Sequence, residues 1–257
     1  MITLTIFNFI LLFIITGLLI IVKKTAKSNT SKNILLLVSA IITILFHYSS
    51  FIYYCLSGGD YLAYLKNTPN LILPIYPCNV VMWSCLILGL IKNKESKLSV
   101  FLIDYIFWFG IFSTLVGMFA NVDFIKNPTL LDFEITKSIV AHATLLFNVL
   151  LLPLFGYIKI DFKRNMTNMV LSVILMYVIG LYCNLVFSAL ISVDAAYDVN
   201  SMFIIHSPFE GIEFLKYPFI SLIALVLYFI VFTTGEIITK PKGERWFENL
   251  PKMSKKS

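Results

Sequence analysis

The chain has 257 residues, of which 59% are hydrophobic and only 13% are charged, and its mean hydropathy is +0.88. Soluble domains have about half apolar and about a quarter charged residues, so this composition excludes a soluble enzyme, a disordered chain and a secreted disulfide scaffold. The formal net charge of +6 lies in short clusters between long apolar runs, which argues against a nucleic-acid-binding protein. The remaining class is a polytopic membrane protein.

Seven mostly apolar runs follow one another along the chain, and each is long enough to span a bilayer as a helix. They are too long and too continuously apolar for barrel strands, and backbone groups in lipid must be bonded within their own segment. The sequence therefore predicts an all-α bundle of seven transmembrane helices over residues 1–238 and a basic tail over residues 239–257. The predicted spans are residues 2–22, 33–56, 73–91, 99–120, 136–158, 169–192 and 218–238.

Lysine and arginine residues divide unequally between the two sides of this arrangement. The first, third and fifth loops and the tail hold 16 of the 20, and the other side holds only Lys66, Lys126, Lys137 and Lys216. Because cytoplasmic segments carry the excess of basic residues, this split predicts an external N-terminus, a cytoplasmic C-terminus and an odd number of spans. We expect a multi-pass protein of the plasma membrane.

The basic tail allows two interpretations. Its charges fix the topology of the chain, which is the usual role of such residues. Alternatively, they also bind anionic lipid head groups, with Trp246 and Phe247 resting at the membrane interface.

Five polar side chains from four spans fall at similar predicted depths, roughly 8–14 Å below the outer surface. A polar residue inside a span is a functional candidate, and a pocket open to the outer leaflet would produce this pattern. The alternative is that the histidines are hydrogen-bonded packing residues and the cysteines are small apolar side chains. That alternative is favoured for His47, Cys55, Cys85 and Cys183. The five residues are His47, Cys78, Asn79, His142 and Asn184.

The surroundings of Cys78 distinguish it from the other cysteines. Pro74 and Pro77 precede it, and proline favours the first position of a helix, so we expect Cys78 in the first turn of the third span. The N-terminus of a helix carries partial positive charge and unbonded N–H groups, which stabilise a thiolate and support an oxyanion. Burial in lipid opposes ionisation, so a nearby histidine would be needed to offset it.

Other groups of residues give weaker signals. The three histidines and four cysteines show no Cys-x-x-Cys or His-x-x-x-His spacing, so we expect no metal site. Cys55 and Cys78 both fall near the outer surface, and a disulfide between them stays open because sequence does not establish pairing. Asp104, near the cytoplasmic end of the fourth span, has no obvious partner, and Glu236 is close enough to its span end to reach water.

The element Leu73-Pro74-Ile75-Tyr76-Pro77-Cys78 resembles the Leu-Pro-x-x-x-Cys element that opens the third span in the YwaF-like family of bacterial integral membrane proteins. The resemblance runs from about residue 33 to residue 235. The fourth span departs from the family's glycine-rich pattern, since only Gly110 and Gly117 remain, and Pro77 stands where leucine is commoner. The other resembling positions are Asn127-Pro128, Ala141-His142, Asn184, Asn200-Ser201-Met202-Phe203 and the stretch 211–218.

That family is related to animal transmembrane proteins regarded as phospholipid acyltransferases, in which a cysteine and a histidine are proposed as catalytic. The resemblance implies these roles for Cys78 and His142. We therefore predict phospholipid transacylation through a thioester on Cys78, assisted by His142, with Asn79 or Asn184 orienting His142 or contacting the oxyanion. Membrane phospholipids are the expected partners, and neither a cofactor nor a nucleic acid is expected. The alternatives are a small-solute transporter and a non-catalytic membrane accessory protein.

Overall fold

The computed structural model of the chain describes residues 2–68, 71–119, 129–207 and 211–248. Within these residues all regular structure is helical, which confirms the all-α class. A 3-10 turn, Ser201–Phe203, accompanies the described α-helices. The helices are α1 (Ile2–Thr25), α2 (Asn29–Leu56), α3 (Tyr61–Asn67), α4 (Pro77–Leu90), α5 (Lys97–Phe119), α6 (Phe133–Leu154), α7 (Phe162–Leu190), α8 (Val193–Val199) and α9 (Phe219–Thr239).

Six of the described helices are long and apolar enough to cross a membrane: α1, α2, α5, α6, α7 and α9. Large apolar side chains stand exposed along them, among them Phe13 at 81% and Leu185 at 68% exposure. Exposed apolar surface on this scale is typical of a face covered by lipid rather than by water. The multi-pass membrane prediction is therefore supported by both the length and the surface of the helices.

Several helices begin earlier than the apolar runs predict because polar residues cap them. Ser28 accepts from the Ser31 backbone N–H at 3.0 Å at the start of α2. Asp132 accepts from the Glu134 backbone N–H at 2.8 Å at the start of α6. Asp161 accepts from the Arg164 N–H at 2.9 Å, so α7 starts at Phe162 rather than at residue 169. Each cap satisfies an N–H group that has no partner inside its own helix.

The predicted third span is shorter as a helix than expected. Residues 73–76 are not helical, and α4 contains only 14 residues, a rise of about 21 Å against a hydrocarbon core of about 30 Å. The expected helix is therefore wrong over its first four residues. The reason is Pro77, because a residue before proline is disfavoured in the helical conformation and proline itself suits the first helical position. The chain before α4 is nonetheless partly buried, with Ile75 only 2% exposed.

The interior of the bundle is formed by α2, α4, α5 and α6, which pack on one another. Outside this group, α1 packs on α6, α7 packs on α5, and α9 packs on α7. Glycines allow the closest approaches. A Cβ at Gly110 of α5 would lie 2.6 Å from Val149 Cγ2 of α6 and 3.2 Å from Val81 Cγ1 of α4. These three helices therefore meet at the level of Gly110, as small residues permit in membrane bundles.

The two ends of the bundle differ in charge. At one end, here called the basic end, lie the loops at residues 26–28, 91–96 and 155–161 and the described part of the tail, residues 240–248. Lys240 ties the tail to this end through Asp161, with 3.4 Å between Nζ and Oδ2. The other end, here called the opposite end, contains residues 57–68, 71–76, 191–207 and 211–218 and the start of α6, where Tyr64 donates to Glu134 at 3.1 Å. Lys252, Lys255 and Lys256 lie outside the described residues.

Asp104 has partners that the sequence analysis did not find. Its carboxylate is 1% exposed and accepts from Asn168 Nδ2 at 2.7 Å and from Arg164 Nε at 3.3 Å. Both partners belong to the first turns of α7, about sixty residues further along the chain, so no local pattern connects them to Asp104. The expectation that Asp104 lacks a partner was wrong.

Glu236 does not reach water. It is 1% exposed, and its two oxygens accept from Lys240 Nζ at 2.6 Å and from the backbone N–H groups of Phe162 at 2.7 Å and Trp246 at 2.8 Å. The Trp246 ring stacks on Phe162 with 4.2 Å between ring centroids. The residues just after α9 therefore fold back on the protein, and Glu236 joins the end of α9 to the start of α7.

Candidate functional site

Cys78 is the second residue of α4, directly after Pro77 at the first helical position, so the prediction that it lies in the first turn is confirmed. The side chain is half-buried and packs against the main apolar core. As the second residue of α4, it sits beside the backbone N–H groups of the first helical turn. Such N–H groups at the start of a helix stabilise negative charge on a sulfur or on an oxygen bound beside it. All four cysteines are free thiols, so Cys55 and Cys78 are not joined.

Asn79 fixes the start of α4. Its side-chain Oδ1 accepts from the Tyr76 backbone N–H at 3.1 Å, and the Asn79 N–H donates to the Tyr76 carbonyl at 3.0 Å. The residue is 4% exposed. This reciprocal pair is a capping arrangement, and it holds the backbone on which Cys78 sits. The recorded side-chain hydrogen bond of Asn79 thus goes to its own helix start rather than to His142.

A strained segment lies beside the start of α4. Asn200, Met202 and Phe203 have φ angles of 43°, 54° and 56°, in the left-handed region that residues other than glycine rarely adopt. Met202 is nevertheless 4% exposed, because the segment inserts between α7 and the chain just before α4. Gly180 of α7 leaves the space for it, since a Cβ there would lie 2.5 Å from Ile204 Cδ1 and 2.8 Å from Met202 Cβ.

Asn184 links α7 to α4 through this segment. Its Oδ1 accepts from the Ser201 N–H at 2.9 Å, and its Nδ2 donates to the Ser201 carbonyl at 3.3 Å. Ser201 Oγ and the Met202 N–H then both donate to the Ile75 carbonyl, at 3.0 and 2.9 Å. Non-helical backbone at membrane depth is tolerated where protein groups satisfy it, and this network does so for the approach to Cys78.

His142 lies on α6 with its ring against α5. Its Nδ1 is 2.8 Å from the Ser138 carbonyl oxygen. Because a carbonyl only accepts, this contact assigns the proton to Nδ1 and leaves the lone pair on Nε2. The ring occupies the space that a side chain at Gly117 would need, since a Cβ there would collide with Cδ2 and Nε2. Gly117 therefore admits the imidazole between α5 and α6.

Cys78 and His142 border the same face of α5 without touching. Gly110 and Gly117 are seven residues apart and so share a face of that helix. Val81 of α4 and Val149 of α6 both contact the position of Gly110, so they lie at one level of the bundle. Cys78 lies three residues nearer the opposite end than Val81. His142 lies seven residues nearer that end than Val149. At 1.5 Å per residue, His142 is roughly 6 Å closer to the opposite end than Cys78. Within the described residues, no hydrogen bond joins the two side chains.

His47 is half-buried on α2, with its ring edge-on to Tyr48 at 5.1 Å between centroids. Tyr48 donates to the Leu71 carbonyl at 3.0 Å and so helps to hold the chain before α4. Thr43 and Ser50, on the same face of α2 as His47, bond to Asn148 and Lys137 of α6. His47 therefore belongs to the contact between α2 and α6, whereas His142 faces α5.

The sequence analysis missed three residues of this site. Ser138 sets the tautomer of His142, and Gly117 makes room for its ring. Tyr105, which is 1% exposed, places its hydroxyl 3.4 Å from the Pro77 carbonyl beneath Cys78. The seven-residue spacing of the two α5 glycines was a usable signal, because it predicts a close-packed face. No pattern marked Ser138 or Tyr105, and Asn127 and Pro128 lie outside the described residues.

A scan of the chain against protein-family models matches the TMEM164 family over residues 1–235. The chain belongs to the TMEM164 family. A search of curated proteins and a search of solved structures found no match. The match covers α1 to α8, α9 as far as residue 235, and every candidate residue at the opposite end. Membership of this transmembrane family agrees with the six long apolar helices, and it confirms the predicted membrane class of this TMEM164-family protein.

Proposed function

We propose that this TMEM164-family protein is an integral membrane acyltransferase that transfers an acyl chain between lipids through a thioester on Cys78. The observation that carries the proposal is that a thiol at a helix start and an imidazole with an unbonded Nε2 lie on two helices that both pack on α5. Cys78 lies beside helix-start N–H groups, and His142 Nε2 retains its lone pair because Nδ1 is bonded to Ser138. A nucleophile and a base of this kind are what covalent acyl transfer requires.

The proposed reaction has two steps. In the first, His142 Nε2 takes the thiol proton while the Cys78 sulfur attacks the ester carbonyl of a donor phospholipid. A carbon–sulfur bond forms, the carbon–oxygen bond breaks, and the imidazolium returns the proton to the departing alkoxide. In the second, His142 deprotonates the hydroxyl of a lysolipid acceptor, which attacks the thioester. The thiolate leaves and recovers its proton from His142, so no external cofactor is consumed.

The two residues differ by roughly 6 Å in level along the bundle, so the proposal places a reacting group between them. An ester carbonyl at the sulfur and its alkoxide oxygen nearer the opposite end would span the distance. Catalytic hydrogen bonds are often long before substrate binds and shorten in the complex. The backbone N–H group of Cys78 is the proposed oxyanion donor, since the Asn79 N–H already donates to the Tyr76 carbonyl. Asn79 and Asn184 act by positioning α4, since their recorded side-chain bonds go to Tyr76 and Ser201.

The proposal includes the topology. We take α4 together with the partly buried chain at residues 71–76 as the third crossing, which gives seven crossings of the plasma membrane. The N-terminus is then external, and Cys78 faces the outer leaflet. Reporter fusions after Lys97 and after Ser257 should give cytoplasmic signals, and a fusion after Lys126 should give an external one. A cytoplasmic signal at Lys126 would contradict both the topology and the location of the site.

A labelled thioester is the direct test of the chemistry. Purified protein given a phospholipid with a labelled acyl chain, without an acceptor, should acquire label that neutral hydroxylamine removes. Cys78→Ala should abolish this labelling. Cys85→Ala, one heptad further along α4, and Cys55→Ala, at an exposed thiol, should retain it. Labelling that persists in Cys78→Ala, or its absence with several donor lipids in well-folded protein, would contradict the enzyme.

The role of His142 has its own test. His142→Ala should slow thioester formation by about 10²–10⁴-fold, the usual contribution of a positioned acid–base group. Gly117→Ala should also slow it, because the added methyl displaces the imidazole from its place against α5. Gly17→Ala is the matched control, since a Cβ there meets nothing within 4 Å. Unchanged rates in both His142→Ala and Gly117→Ala would remove His142 from the mechanism.

The same measurements separate the enzyme from the two alternatives. A transporter or an accessory protein has no reason to form a thioester. A transporter would also need polar groups along a route to the basic end, and Asp104 and Glu236 were the candidates for that role. Both carboxylates are engaged by fixed partners, namely Arg164 and Asn168 for Asp104 and Lys240 for Glu236. Their engagement supports the enzyme over the transporter.

A further inference from the structure

A polar cavity opens at the basic end of the bundle. It lies between the start of α2, the loop at residues 91–96 and the loop at residues 155–161, and its volume is about 710 Å³. Five cationic side chains line it, against only two carboxylates, Glu95 and Asp104. The cavity is far from Cys78 along the bundle, and the proposed acyl transfer makes no use of it. The cations are Lys32, Lys92, Lys94, Lys159 and Arg164.

Two of these cations already have protein partners. Arg164 binds Asp104, with 3.3 Å between Nε and Oδ2. Lys94 donates to the last carbonyls of α4, to Leu88 at 2.5 Å and to Ile91. Burial lowers the pKa of Lys94, which indicates that this part of the wall is partly shielded from water. An anion in the cavity would therefore meet less screening than at an open surface.

The other three cations have no carboxylate partner. None of the ion pairs within the described parts of the chain involves Lys32, Lys92 or Lys159. Lys32 is held over the Phe155 ring, with Nζ 5.7 Å from the ring centroid, so its charge is fixed at the wall. Three cations without an ion pair around a cavity of this size favour the binding of a multivalent anion.

A second, independent feature points to the kind of anion. Asn33 also lines the cavity, and its side-chain oxygen is buried and has no hydrogen-bond partner in the described residues. A buried acceptor without a partner is costly, and a hydroxyl group from a ligand would satisfy it. A ligand with a phosphate and a nearby hydroxyl matches both the cations and this acceptor.

We propose that this cavity binds the phosphate group of a hydroxyl-bearing phosphate ester, through Lys32, Lys92 and Lys159, with Asn33 accepting from the hydroxyl. Two sources share this chemistry: the head group of a lipid such as phosphatidylglycerol, and a free phosphate ester such as glycerol 3-phosphate. Basic pockets between helix ends at a membrane surface are known to bind anionic head groups. The site goes beyond the proposed acyl transfer and does not depend on it.

The test measures binding of labelled phosphatidylglycerol, and separately of glycerol 3-phosphate, to the purified full chain in an uncharged detergent. The combined Lys32→Gln, Lys92→Gln and Lys159→Gln variant should bind at least about tenfold more weakly, since each lysine near anionic lipid contributes about fivefold. The matched control is Lys23→Gln, Lys24→Gln and Lys242→Gln. This control removes three exposed lysines that do not line the cavity, so its affinity should change less than about twofold.

Further measurements identify whether the bound phosphate group belongs to a lipid or to a free ester, and they test the role of Asn33. Binding of the lipid, of the free ester, or of both, with loss only in the cavity variant, supports the site and names its source. Asn33→Leu should weaken the binding of phosphatidylglycerol about fivefold, which corresponds to the loss of one buried hydrogen bond. The binding of phosphatidic acid should not change, because this lipid has no head-group hydroxyl. Binding of neither probe, equal loss in the control, or equal loss of both lipids in Asn33→Leu would overturn the proposal.

Discussion

The two ends of the bundle hold buried polar groups in different ways. At the basic end, charged side chains are paired: Asp104 with Arg164, and Glu236 with Lys240 and two backbone N–H groups. At the opposite end, neutral amides and hydroxyls such as Asn184 and Ser201 bind backbone groups near the start of α4.

This comparison separates structural polar residues from candidate reactive ones. Asp104 and Glu236 look functional in the sequence because they are ionisable and lie within spans, yet their oxygens are occupied in joining helices. At Cys78 and His142, the sulfur and Nε2 are not used to hold helices together in the described structure. An ionisable residue in a span is therefore better judged by what its atoms already bind than by its presence.

The largest expected effect tests the basic end. Glu236→Ala should lower the free energy of unfolding by about 3 kcal/mol, because it leaves Lys240 and two buried N–H groups without their shared acceptor. Thermal unfolding in detergent measures the change. Glu244→Ala, an exposed carboxylate in the same tail, should change stability by less than about 0.5 kcal/mol.

The comparison also requires that Glu236→Ala leave the other end intact. Alkylation of Cys78 by a maleimide, followed by mass spectrometry, should proceed at the same rate in this variant as in the natural protein below their unfolding temperatures. A changed rate at Cys78 would show that the two ends are not independent.

The next effect tests the insertion of the strained segment at the opposite end. Gly180→Ala should destabilise the protein by about 2 kcal/mol, because the new methyl would meet Ile204 and Met202 at under 3 Å. It should also change the alkylation rate of Cys78, since that segment bonds to Ile75 just before α4. Gly17→Ala, in open space, should be neutral or stabilising. Equal behaviour of the two variants would contradict the insertion.

A smaller effect sharpens the link between α7 and α4. Ser201→Ala removes one of the two donors to the Ile75 carbonyl and leaves the Met202 N–H in place. The expected loss of stability is about 1 kcal/mol, measured by thermal unfolding. Ser113→Ala, where the hydroxyl bonds only within its own helix turn, serves as the comparison and should cost less.

The smallest effect concerns a partly exposed pair at the basic end. Burial alone would raise the pKa of Asp161, but the Arg164 backbone N–H and the Lys240 ammonium outweigh it and lower the pKa below its ordinary value of 3.8. A carboxyl group whose pKa is lowered by folding stabilises the protein at pH values above its ordinary pKa. That stabilisation is lost as the pH falls through the pKa of the folded state.

The test of this pair follows the pH dependence. Asp161→Asn should cost less than about 1 kcal/mol at pH 7, because solvent screens the pair. The difference between the natural protein and the variant should shrink as the pH falls below about 4. Unfolding temperatures of both proteins between pH 7 and pH 3 measure it. A difference that grew towards low pH would contradict the assigned shift.

Much of the local structure was predictable because its causes are local. Apolar runs predicted the six long helices, since length and composition alone decide whether a helix suits lipid. Pro77 predicted that Cys78 would lie in a first turn, because proline restricts only its neighbours. The same proline shortened the third helix, an effect that hydropathy does not register because residues 73–76 are as apolar as the helix after them.

The sequence by itself determined the membrane class, the all-α architecture and the position of Cys78 at a helix start. Only the tertiary structure decided which polar groups are occupied. Asp104 accepts a hydrogen bond from Arg164, which is 60 residues away in the sequence, and Ser201 donates one to Ile75, which is 126 residues away. Such partners depend on which helices pack together, which glycines such as Gly117 and Gly180 permit. The packing of the helices depends on contacts throughout the bundle, so it cannot be predicted from any short segment of the sequence.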